Sequence, residues 1–453
     1  MRIDKIFDKF IESVRKEGIY ASRDEIRESC CLMLDLIKNN KDCTPEELVE
    51  FVINDNVKFV NDIREKYYFP GFTIGINVGN INVKLLGGNL YENGPAMNEN
   101  ALFDIASISK FYTQIIIYNL VKEKFFKFNS KIYDLDDRFI NLKDLTVGDI
   151  TSFGVRFMTN GRINEKNNLS DAYNTLFSVN VVESGKYNYN DIGMMIMKEV
   201  MERVTGLSYK ELVDKYIVSK FGLSNTHLIV PIEKRNLITG TSNINLASVN
   251  DSGANALGGY SGHAGIFTSS DDLIKLTSAV TSGKVIDKKR LNDVYSEGLT
   301  PGRGKMGNVY VSSERGSEVS YVGRLEPKRT FALQGSTRAN VNANSHSSCT
   351  VLLNPASMSI ERALENEAKI NETRALRGEA PLSLVRRFNF NRDGSFNQYN
   401  LIDVRQMLPS GKTVDPLIAM NAKLVLRLRF LDEFIKEYDR NYAKQIDVIK
   451  KIS

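Results

Sequence analysis

Residues 106–123 read ASISKFYTQIIIYNLVKE, a Ser-x-x-Lys motif that runs directly into an apolar, helical stretch. Ser107 and Lys110 are three positions apart, which at the start of a helix places both side chains on one face and within hydrogen-bonding reach. A serine becomes a nucleophile when a base takes its proton, and a lysine is such a base when burial or neighbours lower its pKa. The alternative is that Ser107 simply caps the helix, and the motif alone does not exclude it.

The segments around this motif predict strands, then helices, then strands. Residues 69–94, FPGFTIGINVGNINVKLLGGNLYENG, hold short β-rich runs separated by Gly-Asn pairs, a pattern typical of antiparallel strands joined by tight turns. Residues 125–235 are mostly helical in pattern, with apolar positions recurring at three and four. After residue 300, β-like runs return, including SCTVLLNP at 348–355.

Both ends of the chain predict helices. The first 68 residues look helical, and Thr44, Pro45 and Glu47 form the N-cap, first position and capping box of one helix. The tail from 357 to 453 predicts a charged helical segment, a hairpin at 386–400 and a long final helix from Pro416.

Composition narrows the class of protein. The 453 residues are 42% hydrophobic, enough for a packed core, and the net charge of +5 is spread along the chain, which argues against a nucleic-acid or membrane partner. The first 18 residues are charged throughout and lack the apolar centre of a secretory signal, and no stretch is apolar enough to span a bilayer. We therefore predict a soluble, cytoplasmic protein.

The sequence predicts neither a metal site nor a cofactor. The three histidines have no metal-ligand spacing, and the GxGxxG match at 302–307 precedes a β-like run where a dinucleotide site needs a helix. The four cysteines are predicted to be buried, reduced thiols. The residues concerned are His227, His263, His346, Cys30, Cys31, Cys43 and Cys349.

A second candidate element is YNYNDIGMMIMKEV, residues 187–200, in which Tyr189, Asn190 and Asp191 precede a helical pattern. A tyrosine close to a lysine ammonium can be held partly as phenolate, so Tyr189 is a candidate base or leaving-group acid. On its own, a tyrosine such as Tyr189 is more often a half-buried packing residue.

Three segments together resemble the serine β-lactamase and penicillin-binding-protein superfamily, with its class C, esterase and D-aminopeptidase-like branch as the closest group. They are LFDIASISKFYTQ (102–114), YNYNDIGMMIMKEVMERVTGLSY (187–209) and VNDSGANALGGYSGHAGIFTSSDDLIKL (249–276). With the strand PGFTIGI (70–76), the resemblance covers residues 65–356.

The resemblance implies an α/β (α+β) fold in which an antiparallel sheet flanked by helices carries a mainly helical subdomain. The α/β part would be formed by residues 65–124 and 236–356, and the helical subdomain by residues 125–235. Residues 1–64 would be an N-terminal helical extension, and residues 357–453 a C-terminal extension. The site would lie where the two parts of the domain meet.

The resemblance also implies residue roles. Ser107 would be the acylated nucleophile, Lys110 its partner, and Tyr189 the tyrosine of the family's Tyr-x-Asn element. Asp191 stands where the asparagine is usual, and its carboxylate could accept a hydrogen bond from Lys110 or from a substrate amine. His263 would sit at a turn in a structural or rim role and not in a catalytic triad.

The family's third element is usually Lys-Thr-Gly or His-Thr-Gly on an inner strand, and its best match here is Leu333, Gln334 and Gly335. Leu333 cannot supply the positive charge that typically holds a substrate carboxylate, and Arg338 would replace it only if the strand geometry allows. Gly335 would let a substrate lie along the strand. The N–H of Ser336 would join that of Ser107 in the oxyanion hole.

Two functions follow from these implied roles. One is a serine hydrolase that works through an acyl-enzyme on an ester or amide, with small esters, D-amino-acid peptides and β-lactams all chemically open to it. The other is a non-catalytic binding protein that keeps the fold with an altered third element.

Overall fold

The computed structural model describes residues 2–287 except 20, 41, 68, 92, 187 and 241–248. It further describes 310–311, 325–354 without 328, 336 and 338, 416–438, 444–452, and short pieces between 368 and 414. The predicted hairpin at 386–400 and the GxGxxG match at 302–307 lie outside the described residues.

The described strands, in chain order, are β1 Gly71–Val78, β2 Ile81–Gly88, β3 Phe103–Asp104, β4 Val155–Met158, β5 Asn180–Ser184, β6 Thr226–His227, β7 Phe267–Thr268, β8 Tyr310–Val311, β9 Phe331–Gly335, β10 Ala339–Ala343, β11 Ser347–Asn354, β12 Gln406–Met407, β13 Thr413–Val414 and β14 Ile446–Ile452.

The described α-helices are α1 Arg2–Lys16, α2 Arg23–Asn39, α3 Pro45–Tyr67, α4 Ser109–Lys122, α5 Ile132–Leu135, α6 Val147–Thr151, α7 Leu169–Phe177, α8 Ile192–Thr205, α9 Tyr209–Val213, α10 Ser219–Phe221, α11 Ser252–Ala256, α12 Ser270–Thr281 and α13 Pro416–Tyr438. Short 3-10 helices lie at Ala106–Ile108, Ile163–Glu165 and Ile232–Leu237, and a π-helix spans Asp214–Val218.

Helix α3 begins with the capping box that the sequence predicts. The backbone N–H of Glu47 donates to Thr44 Oγ1 at 3.2 Å, and the N–H of Thr44 donates to Glu47 Oε2 at 2.8 Å. These two bonds satisfy backbone donors that a helix start leaves without intrahelical partners. The predicted capping box at Thr44 is therefore confirmed.

A seven-stranded sheet in the order β14-β2-β1-β11-β10-β9-β8 forms the centre of the protein. Its pairs are antiparallel except β14 with β2, which is parallel. The turn between β1 and β2 contains Gly79 at φ +55°, a left-handed conformation that the predicted Gly-Asn turn provides. The predicted antiparallel sheet flanked by helices is thus confirmed.

Because successive side chains along a strand point to opposite faces of the sheet, the protein has two hydrophobic cores, one on each face. In β1, Phe72, Ile74 and Ile76 point into a core shared with α1, α2, α3 and α13. On the opposite face, α12 packs over β1, β10 and β11, and Gly75 lies close to the side chain of Ser270. That second core continues through α4 and α8 into the helical region.

The two ends of the chain therefore belong to the first core. Phe430 of α13 is fully buried and meets the ring of Phe7 at 5.0 Å between centroids and the ring of Phe10 at 5.3 Å. The predicted long helix from Pro416 is confirmed, but it is not the last element, because β14 follows it on the edge of the sheet. Among the described residues, no helix is long and apolar enough to cross a membrane.

The cysteines only partly follow the prediction. Cys30 and Cys349 are buried, Cys43 is half-buried, and Cys31 is exposed; all four are free thiols. The prediction of burial was wrong for Cys31 because only one of two adjacent positions on α2 faces the core, and Cys30 occupies it.

We predict that Phe430→Ala lowers the free energy of unfolding by about 3–5 kcal/mol, because it opens a cavity between α13 and α1. Urea denaturation followed by circular dichroism measures the loss. Phe51→Ala in α3 is the matched control, since Phe51 is 42% exposed, and it should cost less than about 1 kcal/mol. Equal losses for the two variants would show that α13 is not part of the cooperative core.

Candidate active site

Ser107 lies in a constrained turn between β3 and α4. Ala106, the preceding residue, has φ +45°, an arrangement that costs a residue with a side chain on the order of 1–2 kcal/mol. The buried carboxylate of Asp104 holds this turn, because it accepts hydrogen bonds from the N–H groups of Ala106 and Asn250, both at 2.8 Å. Burial raises the pKa of Asp104 to about 6, although both hydrogen bonds act in the opposite direction.

Lys110 is one turn further along and reaches back to the serine. Its Nζ donates to Ser107 Oγ at 2.8 Å, and the side chain is completely buried. No side-chain cap hydrogen bond forms at the start of α4, whose N-cap residue is Ile108. The hydroxyl of Ser107 is therefore not used as a helix cap.

Two residues just before α8 complete the environment of Lys110. Asp191 Oδ1 lies 2.7 Å from Lys110 Nζ, and the same nitrogen stands 4.8 Å from the centre of the Tyr189 ring. The Tyr189 ring stacks on Phe153 at 5.3 Å and is 40% exposed. Asn190 holds the start of α8 by accepting from the N–H of Gly193 at 2.9 Å. Ser107, Lys110, Tyr189 and Asp191 thus form one cluster.

The charges in this cluster support one another. Burial by itself would lower the pKa of Lys110, but the carboxylate of Asp191 and the nearby Tyr189 outweigh it, and the pKa lies above its ordinary value. Burial likewise works against ionisation of Asp191, yet Lys110 and His263 hold the pKa of Asp191 below its ordinary value. The free protein therefore holds a charged Lys110–Asp191 pair at neutral pH.

A second carboxylate, Asp251, stands beside this pair. Its Oδ1 caps α11 by accepting from the N–H of Ala254 at 2.8 Å and lies 2.8 Å from His263 Nε2. Burial opposes ionisation of Asp251, but the bond to His263 dominates and keeps its pKa far below the ordinary value. The ligand atoms of Asp191, Asp251 and His263 lie within 4.8 Å of one another, close enough to hold a metal ion.

Asp251 was not singled out from the sequence, although its position before Ser-Gly-Ala is that of a helix N-cap. His263 is 1% exposed, so it does not sit on the rim, and its Nε2 contacts Asp251 and not Ser107. Histidine spacing gave no sign of this group because two of its three members are carboxylates from different segments.

The strand β9 lies against the nucleophile turn. A Cβ on Gly335 would come within 2.3 Å of the carbonyl oxygen of Ile105, so only glycine allows this approach. Thr337, just beyond β9, donates from its hydroxyl to the carbonyl oxygen of Asp104. The side chain of Leu333 is buried. Ser336, Arg338 and the side chain of Gln334 lie outside the described residues.

Solved structures of similar fold come from several kinds of protein. FmtA from Staphylococcus aureus matches at TM-score 0.53 and 18% identity, over 77% of this chain and 96% of its own. A class C β-lactamase in complex with cefoxitin matches at 0.55 and 14%, over 73% and 100%. EstCE1, a hydrolase with promiscuous acyltransferase activity, matches at 0.54 and 15%, over 67% and 94%. These likenesses establish the fold.

A comparison with curated proteins gives no match. A family model does match, and it covers residues 57–354, which include β1 to β11 and every residue of the cluster around Ser107. With the fold, the matched range and the Ser-x-x-Lys geometry in agreement, the chain belongs to the beta-lactamase family.

Proposed function

We propose that the protein is a serine hydrolase that cleaves an ester or amide through an acyl-enzyme on Ser107. The observation that carries this proposal is the 2.8 Å contact between Ser107 Oγ and the fully buried Nζ of Lys110. A nucleophile needs a proton acceptor within about 2.6–3.2 Å. Lys110 lies at that distance without a substrate, and it can accept the proton of Ser107 once it has lost its own. The candidate substrates are small esters, D-amino-acid peptides and β-lactams.

Ser107 Oγ attacks the carbonyl carbon while its proton passes to Lys110 or Tyr189. The same groups then protonate the leaving alcohol or amine, and water releases the acid from Ser107. By family likeness, the N–H groups of Ser107 and Ser336 hold the developing oxyanion, each worth roughly 3 kcal/mol. Gly335 keeps β9 close enough for a substrate to lie along the strand. By family likeness, Gln334 and Arg338 would also contact the substrate.

A second candidate function is a binding protein without turnover. It is favoured by one observation, the buried Leu333 at the position where the family usually carries a cation. In that case the cluster around Lys110 would serve recognition of a ligand and not bond cleavage.

We predict that a fluorophosphonate probe labels the protein at Ser107, because an activated serine attacks phosphorus as it attacks a carbonyl. Mass spectrometry of the labelled peptide identifies the site. The label should disappear in Ser107→Ala and persist in Ser109→Ala, a matched control two residues away. Absence of labelling, together with no hydrolysis of p-nitrophenyl esters, would favour the binding protein.

We predict that Gly335→Ala lowers kcat/KM for p-nitrophenyl acetate by on the order of 100-fold. The added Cβ would collide with the carbonyl oxygen of Ile105, so β9 or the nucleophile turn must move, and misplacements of about 1 Å have effects of this size. Gly206→Ala is a matched control, because nothing lies within 4 Å of its Cβ position although its φ is +71°. Unchanged kinetics in Gly335→Ala would exclude β9 from the site.

We predict that Asp191→Asn changes the pH dependence of hydrolysis of an uncharged ester. In the native protein Asp191 raises the pKa of Lys110, so kcat/KM should rise with pH into the alkaline range as Lys110 loses its proton. Without that carboxylate, burial dominates and lowers the pKa, so the rise should shift to lower pH. An unchanged or more alkaline profile would show that Lys110 is not the base.

A further inference from the structure

The carboxylates beside the nucleophile are partly open to solvent, whereas the side chains of Lys110 and His263 that contact them are buried. The side chains of Asp191 and Asp251 are 46% and 29% exposed. Lys110 and His263, their partners among the described residues, are 0% and 1% exposed. Within the part of the chain that the structure describes, the buried side of the two carboxylates is therefore occupied, and their exposed side can receive a further cation.

Asp191 has the capacity to bind a second partner. A carboxylate offers about four acceptor positions, and the recorded contact with Lys110 uses Oδ1. Its distance to the Asp251–His263 pair, within 4.8 Å between ligand atoms, allows one small cationic group to contact both carboxylates. An ammonium group can do so because it carries three donors.

We propose that Asp191 and Asp251 bind the ammonium group of an amine-bearing acyl substrate, and that this binding releases Lys110 from Asp191 so that Lys110 can act as the base. The inference rests on the proposed function and adds to it the charge of the substrate and the step that activates Ser107.

The coupling follows from the burial of Lys110. An ammonium that is completely removed from water stays charged only while a carboxylate compensates it. A substrate ammonium at Asp191 both shares that carboxylate and repels Lys110, so Lys110 releases one proton to solvent. One cation enters and one proton leaves, and the net charge of the cluster stays the same.

The chemical step then balances. Neutral Lys110 Nζ, 2.8 Å from Ser107 Oγ, accepts the hydroxyl proton as the Oγ–carbon bond forms. When the bond from the carbonyl carbon to the leaving oxygen or nitrogen breaks, Lys110 returns the proton to the leaving group. Tyr189, over whose ring Lys110 lies, is placed to take part in the same transfer.

A divalent metal ion is the other cation that these groups could hold. We favour the ammonium because Asp191 already binds one, the side chain of Lys110, at a normal hydrogen-bond distance of 2.7 Å. A metal ligated by His263 Nε2 would have to break its 2.8 Å bond to Asp251 in a buried position.

The test compares two serine-directed inhibitors that differ only in the amine, 1-aminoethylboronic acid and ethylboronic acid. Their inhibition constants are measured as protection of Ser107 from the fluorophosphonate probe at pH 7. The amino compound should bind at least about tenfold more tightly, the effect of a charge-assisted hydrogen bond. The preference should vanish when the pH exceeds the pKa of the inhibitor's amine, because only the ammonium form is bound.

Two variants test whether Asp191 causes the preference for the amino compound. Asp191→Asn should reduce the ratio of inhibition constants to within about threefold of one, and because it is a ratio, a general loss of affinity does not affect it. Asp144→Asn is the matched control with the same change in net charge at a side chain that is 98% exposed, and it should keep the native ratio.

The inference is wrong if the ratio of inhibition constants is near one in the native protein, or if Asp191→Asn keeps the native ratio. In either case, labelling of Ser107 leaves the hydrolase proposal intact. A second outcome would favour a metal ion over the ammonium group. In that case equilibrium dialysis shows Zn²⁺ binding that Asp251→Asn abolishes, and the ratio of inhibition constants is near one. Absence of any labelling of Ser107 is a different result, because it removes the proposed function on which the inference rests.

Discussion

The charge pair between Lys110 and Asp191 is the interaction on which the site depends. Lys110 lies on α4, a helix whose hydrophobic core extends to the sheet. Asp191 lies at the start of α8, in the helical region. Because a buried ammonium needs its partner, the pair fixes the distance between these two elements as well as the protonation of the lysine. The position of Ser107 follows, since it is bonded to the same nitrogen.

The turn that carries Ser107 is held from two directions. The carboxylate of Asp104 accepts hydrogen bonds from the N–H groups of Ala106 and Asn250, and Asn250 directly precedes Asp251. Gly335 brings β9 against Ile105 from the other direction. A left-handed alanine is tolerated before the nucleophile because these contacts together outweigh its local cost. One carboxylate therefore positions both the nucleophile turn and the second acid of the site.

The sequence predicted those parts of the structure that depend on local signals. The capping box at Thr44, the Gly-Asn turn of the first hairpin and the helical stretch after Ser107 each depend on interactions between residues a few positions apart. The proximity of Ser107 and Lys110 is of the same kind, since a helix sets it. The closeness of Lys110 to Asp191 came only from family likeness.

What the sequence did not predict depends on contacts between distant segments. The pairing of Asp251 with His263 needs the loop between α11 and β7 to fold back, and nothing in either residue type indicates it. β14 was missed because its run, IDVIKKI, is short and charged and becomes a strand only where β2 offers an edge. The exposure of Cys31 was missed for the same reason, because the packing of α13 determines which face of α2 is buried.

The parallel pairing of β14 with β2 has a consequence for how the chain reaches its native state. Asn82 and Asp447, which are bonded across this pair, lie 365 residues apart. Such a contact has a high entropic cost of closure and forms late during synthesis and folding. Until then β2 presents an unpaired row of backbone donors and acceptors that can pair with another chain. The nascent protein thus passes through a period in which aggregation competes with closure of the sheet, and chaperones that shield strand edges would act in that interval.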